Sequence, residues 1–172
     1  MLPLAHIGIG CQLVSRVKKL PLFALGLGTL LPDRVDKPLY YIPALLTGRH
    51  GSELGWIGGA RSIGHTLLFF FALLAVARFP GGRQRRWLAL ALGVGTHLLL
   101  DNFAEPFTPF SPYASRIALL FPLYGFVFPY AQYRSLGEHL WMHLRPFDLG
   151  GEVVGALLIA WMWWKGRRSA GA

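Results

Sequence analysis

The chain has 172 residues; 53% are hydrophobic, only 15% are charged, and the net charge is +9. A water-soluble globule carries nearer a quarter charged residues, so this balance excludes an ordinary soluble domain and points to lipid as the solvent. A nucleic-acid partner is not expected, because the basic residues fall mainly in three clusters beside apolar runs, Arg16 to Lys19, Arg78 to Arg86 and Lys165 to Arg168. That is the pattern of positive-inside anchors, and no zinc-finger spacing, basic helix or aromatic RNA-binding motif accompanies it.

In chain order, residues 3–15 form a short apolar segment that carries His6 and the sole cysteine, Cys11, which excludes an internal disulfide. No basic n-region precedes this segment, so it is not read as a cleaved signal peptide. Residues 20–31, LPLFALGLGTLL, are apolar and stop at Pro32-Asp33. Both segments fall short of the ~20 residues that a perpendicular spanning helix needs, so they are expected to be short or re-entrant. Residues 38–60 read as a Gly-rich loop with an interfacial turn, where Tyr40, Tyr41 and Trp56 suit the headgroup layer. Residues 62–79 predict a helix terminated by Pro80-Gly81-Gly82, and residues 87–101 a second one. Residues 115–131 are apolar but interrupted by Pro122 and Pro129, which suggests a re-entrant or surface-lying segment. Residues 151–164 predict a last helix ending in Trp163-Trp164. The expectation is an all-α polytopic membrane helical bundle with short or re-entrant N-terminal helices. Residues 1–165 would form a single membrane-embedded domain and 166–172 a basic, flexible tail.

Sidedness then links distant residues. With the basic clusters in the cytoplasm, helix 62–79 starts outside at His65, and helix 87–101 returns outward to His97 and Asp101. If 3–15 runs inward and 20–31 outward, His6 and Asp33 lie outside too. Five metal-ligand residue types from four segments thus meet one face, where a lone imidazole or carboxylate is costly to desolvate. The site is expected on the extracytoplasmic face of a multi-pass protein of the inner (plasma) membrane.

His97 and Asp101 are four apart and share a helical face; the plain alternative is a His–Asp hydrogen bond at a helix end. Arg61 and His65 repeat the spacing. Arg61 offers a bidentate fork to a phosphate or carboxylate, or else snorkels to water. Asp33 is read as a ligand, with helix capping as the alternative. Asp36 is left open as a general base, with a simple pairing to Lys37 beside it. His50, His139 and His143 read as surface features, and Glu138 and Glu152 as outside candidates for an acid or base. There is no Gly-x-Ser-x-Gly elbow, phosphate loop or dinucleotide fingerprint. Gly26, Gly28, Gly93 and Gly95 are read as allowing close helix packing in lipid.

The order His6, GLGTLLPDRVDKPL, GARSIGHTLLF and GTHLLLDN resembles the YdjM-like family of (LexA-regulated) membrane-bound metal-dependent hydrolases. The resemblance runs over roughly residues 3 to 105, with fainter similarity through FPLYGFVFP and the Glu152 helix. It implies metal-site roles for His6, Asp33, His65, His97 and Asp101, with Arg61 accompanying them. Ala60 stands where many relatives carry a histidine, and Gly64-His65-Thr66 where Thr-His-Ser is common; both departures bear on a second ion.

The expected function is hydrolysis of a phosphoester or lipid-like substrate by a metal-activated water, with one or two divalent ions lowering the pKa of bound water to about 7. Mixed nitrogen and oxygen donors suit zinc or manganese. Partners would be the lipid bilayer and a small-molecule or lipid substrate. The alternative is a non-catalytic metal-binding membrane transport or scaffold protein, which would more naturally place its polar residues at the bilayer midplane and on repeated halves.

Overall fold

The structure, a computed structural model, describes residues 2–15, 20–79, 81–107, 114–131, 135–142 and 144–170. It is built from helices, with no strand among the described residues: α1 (Pro3–Ser15), α2 (Leu22–Thr47), α3 (Leu67–Arg78), α4 (Gln84–Ala104), α5 (Ala114–Leu119), α6 (Leu136–Met142) and α7 (Pro146–Ala170). Two stretches, Gln84–Phe107 and Pro146–Arg168, are long and apolar enough to cross a membrane, while α1 and α3 are apolar but shorter. The basic cluster Arg16 to Lys19, Pro80 and His143 lie outside the described residues.

The largest departure from the sequence pattern is α2. A stop at Pro32 and a loop over 38–60 were expected, yet one helix runs to Thr47 with Pro32, Pro38 and Pro43 inside it. Proline removes one backbone donor and tends to kink a helix, but such helices persist where neighbours support them. Here α2 is gripped by α4. A Cβ on Gly28 would run into the Leu90 carbonyl, and one on Gly93 into the Leu25 carbonyl, so these two glycines set the helices at backbone contact. A Cβ on Gly95 would lie 2.9 Å from the Phe70 ring, while Gly26 has only ordinary contacts. The helix stops instead at Gly48, whose φ of 68° is a left-handed cap with its N–H bonded to the Ala44 carbonyl. Asp33 therefore sits inside α2 and caps nothing.

Helix α3 begins later than expected. Ser62 is not helical, Ile63–His65 form a 3-10 turn, and Thr66 caps α3 by accepting from the Phe69 N–H at 3.0 Å. Arg61 and His65 consequently do not share a helical face. Beyond α5, residues 120–131 turn through a cis Phe121–Pro122 bond and lie against the 3-10 turn Gly51–Ile57, with the Ala131 N–H bonded to the Gly58 carbonyl. Helix α7 continues through Ala170, so residues 166–170, expected as a flexible tail, are helical.

Contacts fix the helix directions. His6 early in α1, His65 just before α3 and Glu152 early in α7 lie at the same end as Asp33 in α2 and Asp101 late in α4. Helices α2 and α4 thus run toward that end, and α1, α3 and α7 run away from it. A buried apolar cluster of Cys11, Ala24, Leu25 and Ala89 sits beneath, where α1, α2 and α4 meet.

Candidate metal centre

The local sequence builds the site from two devices. The first is Asp36, fully buried in α2. Its carboxylate accepts from the N–H groups of Ser62 (2.7 Å), Gly64 (2.8 Å) and His65 (3.2 Å), and from His65 Nδ1 at 2.7 Å. This ties the 3-10 turn to α2 and fixes the His65 ring. Both of its oxygens are committed to donors. The second device is the proline-interrupted α2 itself, whose Thr29 carbonyl accepts from His97 Nδ1 at 2.7 Å.

With each Nδ1–H spent on an acceptor, each imidazole turns its Nε2 lone pair inward. The two Nε2 atoms lie 3.2 Å apart. His65 Nε2 is 3.7 Å from Asp33 Oδ1 and 3.6 Å from Asp101 Oδ2, and His97 Nε2 is 3.7 Å from Asp101 Oδ2. Donor pairs around one tetrahedral zinc with bonds near 2.0–2.1 Å stand about 3.3–3.5 Å apart, so donors of His65, His97 and Asp101 stand at nearly coordinating spacing, with Asp33 Oδ1 beside His65. Anchoring the outer nitrogen of a ligating histidine on a carboxylate or a backbone carbonyl is the usual outer shell of a metal site, and His65 and His97 show one of each.

Electrostatics point the same way. Asp33, Asp36 and Asp101 face two fixed cations. Lys37 holds Asp33 Oδ2 at 2.6 Å across one helical turn, so it pairs with Asp33 rather than Asp36. Arg61 Nη2 lies 3.2 Å from Asp101 Oδ2 while its Nη1 donates to Ser115 Oγ at 2.7 Å. Burial pulls the His65 pKa down, but hydrogen bonds with Asp101 and Asp36 and the charges of Asp101 and Asp33 outweigh it, leaving the pKa raised.

Every residue expected at the site from the sequence is brought together: His6, Asp33, Asp36, Arg61, His65, His97 and Asp101. His6 is 1% exposed and reaches Asp101 Oδ1 with Nε2 at 3.4 Å. The geometry groups His6, His97 and Asp101 as one possible ligand set and Asp33, His65 and His97 as another. Glu152 is no acid or base for this cluster. Its carboxylate accepts from the Ala5 and Leu4 N–H groups (2.9 and 3.3 Å) and so caps α1 from α7. Glu138 lies on α6 and His50 precedes the Gly51–Ile57 turn; the His139 side chain and His143 are outside the described residues.

Sequence reasoning missed Thr29, Ser115 and Glu105. Thr29 acts through a backbone carbonyl, which leaves no side-chain signal. Ser115 accepts from Arg61 and donates its N–H to Glu105 Oε1 at 2.6 Å, a link across a connection that no local spacing reveals.

Comparison with curated proteins and with solved structures returned no match. The family model described as YdjM inner membrane protein matches residues 1–169. With nearly its whole length covered, including every residue of the cluster, the chain belongs to the YdjM inner membrane protein family.

Proposed function

We propose that this protein is a membrane-bound metal-dependent hydrolase that acts on a phosphoester or lipid-like substrate, multi-pass in the inner membrane with its site on the extracytoplasmic face. One observation carries the metal reading: two buried imidazoles, each with Nδ1 anchored, aim their Nε2 atoms at each other across 3.2 Å beside two carboxylates. Facing nitrogens this close need a shared proton or a metal ion between them. Two nitrogens and two oxygens suit zinc or manganese. When bound, such an ion supplies a Lewis acid that makes water nucleophilic near neutral pH.

The chain's own residues supply the rest. Asp33, His65, His97 and Asp101 hold the ion. Asp36 and Thr29 fix the imidazole planes, and Lys37 holds the outer oxygen of Asp33. Arg61 separates this reading from a metal transport or scaffold protein. A guanidinium 3.2 Å from a ligand carboxylate weakens a site made only to store cations, whereas it suits one that also receives an anionic group and stabilises developing negative charge.

The orientation rests on charge. All eight carboxylates fall in the half that carries the cluster or on the connections at that end, together with Arg34, Lys37, Arg49, Arg61, Arg116 and Arg145, whereas Arg78, Arg83, Arg85, Arg86, Lys165, Arg167 and Arg168 lie at the other end with no carboxylate beside them. Basic residues mark the cytoplasmic side.

The test is elemental analysis of protein purified in detergent, with His97→Ala and Asp101→Ala beside the wild type, followed by turnover of a phospholipid bearing a chromogenic phosphoester. Wild type is expected to carry stoichiometric metal and both variants to lose it together with turnover. Arg61→Ala is expected to keep the metal and lose turnover. Metal-free wild type, or variants that retain metal and activity, would overturn the proposal.

A further inference from the structure

His6 does not fit the convergent set. Its ring stacks on that of His97 with centroids 4.0 Å apart and planes inclined by only 16°. An imidazole binds an ion in its own plane, about 2 Å beyond the nitrogen. Planes so nearly parallel meet more than ~10 Å away, far beyond such a bond length. One ion therefore cannot take both rings. His65 and His97 differ in this respect, because their planes are inclined by 69° and their Nε2 atoms converge. Nor can His97 serve two ions, since its Nδ1 is committed to the Thr29 carbonyl.

Asp101 joins the two arrangements. Its Oδ2 faces His65 and His97, at 3.6 and 3.7 Å, while its Oδ1 faces His6 Nε2 at 3.4 Å. His6 is buried, and its Nδ1 has no hydrogen-bond partner among the described residues, which is costly for a polar group unless a ligand is gained elsewhere on the ring.

We infer that the cluster is a two-ion centre, with one ion on Asp33 Oδ1, His65 Nε2, His97 Nε2 and Asp101 Oδ2, a second on His6 Nε2 and Asp101 Oδ1, and Asp101 as the bridge. The inference rests on the metal reading above and deepens it. Among the described residues the second ion has fewer protein donors, so it keeps more positions for water or an anionic substrate. It is also the weaker one. Loss of an outer-shell partner typically costs about 10–100-fold in affinity, and among the described residues His6 Nδ1 lacks the partner that the other two histidines have.

The experiment uses the full chain in detergent, loaded with Mn²⁺ alone. Metal per chain is measured by elemental analysis, and the ions are examined by low-temperature electron paramagnetic resonance. Wild type is expected to hold two ions per chain with the signature of an exchange-coupled pair, and graded chelator is expected to remove one at a 10–100-fold lower concentration than the other. His6→Phe keeps a ring to stack on His97 but offers no donor; it is expected to hold one ion with the signal of an isolated Mn²⁺, as is His6→Ala. One ion in wild type, two in His6→Phe, or none in His6→Phe would overturn the two-ion assignment. No ion in wild type would overturn the metal reading itself, and the two failures are thereby distinguished.

Discussion

The two ends of this helical protein answer the same problem, charge beside lipid, in opposite ways. At the cluster end, charged groups are buried and paired. Asp36 is fully buried with four donors, and Asp101 lies among His6, His65, His97 and Arg61. At the other end, charges of one sign remain at the surface and lean on aromatic faces. Arg167 lies 3.8 Å over the Trp163 ring and Arg168 3.9 Å over Trp164, with Lys165 near Trp161, an arrangement suited to the bilayer interface. Pairing fixes geometry and suits chemistry; a like-charged exposed belt fixes only which way the molecule faces. The cluster end should thus be brittle to substitution and the basic end tolerant.

Asp36→Ala offers the largest break. It strands three backbone N–H groups and the His65 imidazole, and removing one partner of a buried ionic network costs ~3–5 kcal/mol. Thermal unfolding should fall by ~6–20 °C, given ~2–4 °C per kcal/mol at this size. A shift of less than 2 °C would show that Asp36 does not anchor the cluster. Gly28→Val should come next. It forces α2 from the Leu90 carbonyl, with an overpacking cost of ~1–3 kcal/mol, and metal retention under a chelator series should weaken as Thr29 leaves His97. Unchanged retention would separate helix packing from ion binding. Thr66→Ala removes the α3 cap for ~1 kcal/mol, read as a small drop in unfolding temperature with metal content intact. Smallest in stability is the triple variant Arg83→Glu, Arg85→Glu, Arg86→Glu. It should leave metal content in detergent unchanged yet disturb orientation, read by impermeant labelling of Arg168→Cys in intact cells. A lost ion there, or an orientation unmoved, would collapse the contrast between the ends.

The cluster was legible in sequence because its members are chemically conspicuous and each sits at the edge of an apolar run. His97 and Asp101 also share a face by simple periodicity, and their 3.7 Å approach follows from it. Less of the fold was legible. Proline at positions 32, 38 and 43 reads locally as a stop, and only the contact of Gly28 and Gly93 with α4 explains why the helix persists. The start of α3 was misplaced for a related reason. Ser62 to His65 have apolar neighbours that favour a helix, but their N–H groups are claimed by Asp36, 26 to 29 residues earlier. The role of Asp36 was hidden with it, since a carboxylate that serves backbone donors leaves the same trace in sequence as one that serves a proton.

The contact between the first helix and the last has a consequence for biosynthesis. Gly8 and Gly155 bring α1 and α7 together at backbone contact, and Glu152 closes the start of α1. A ribosome delivers α1 well before α7, so His6 is made long before the helix that seats it. Residues 22–104 can gather Asp33, His65, His97 and Asp101 while translation continues, but His6 takes its station only when the final segment arrives. Assembly of the cluster thereby waits on α7, and a product truncated before residue 146 would carry an unseated first helix.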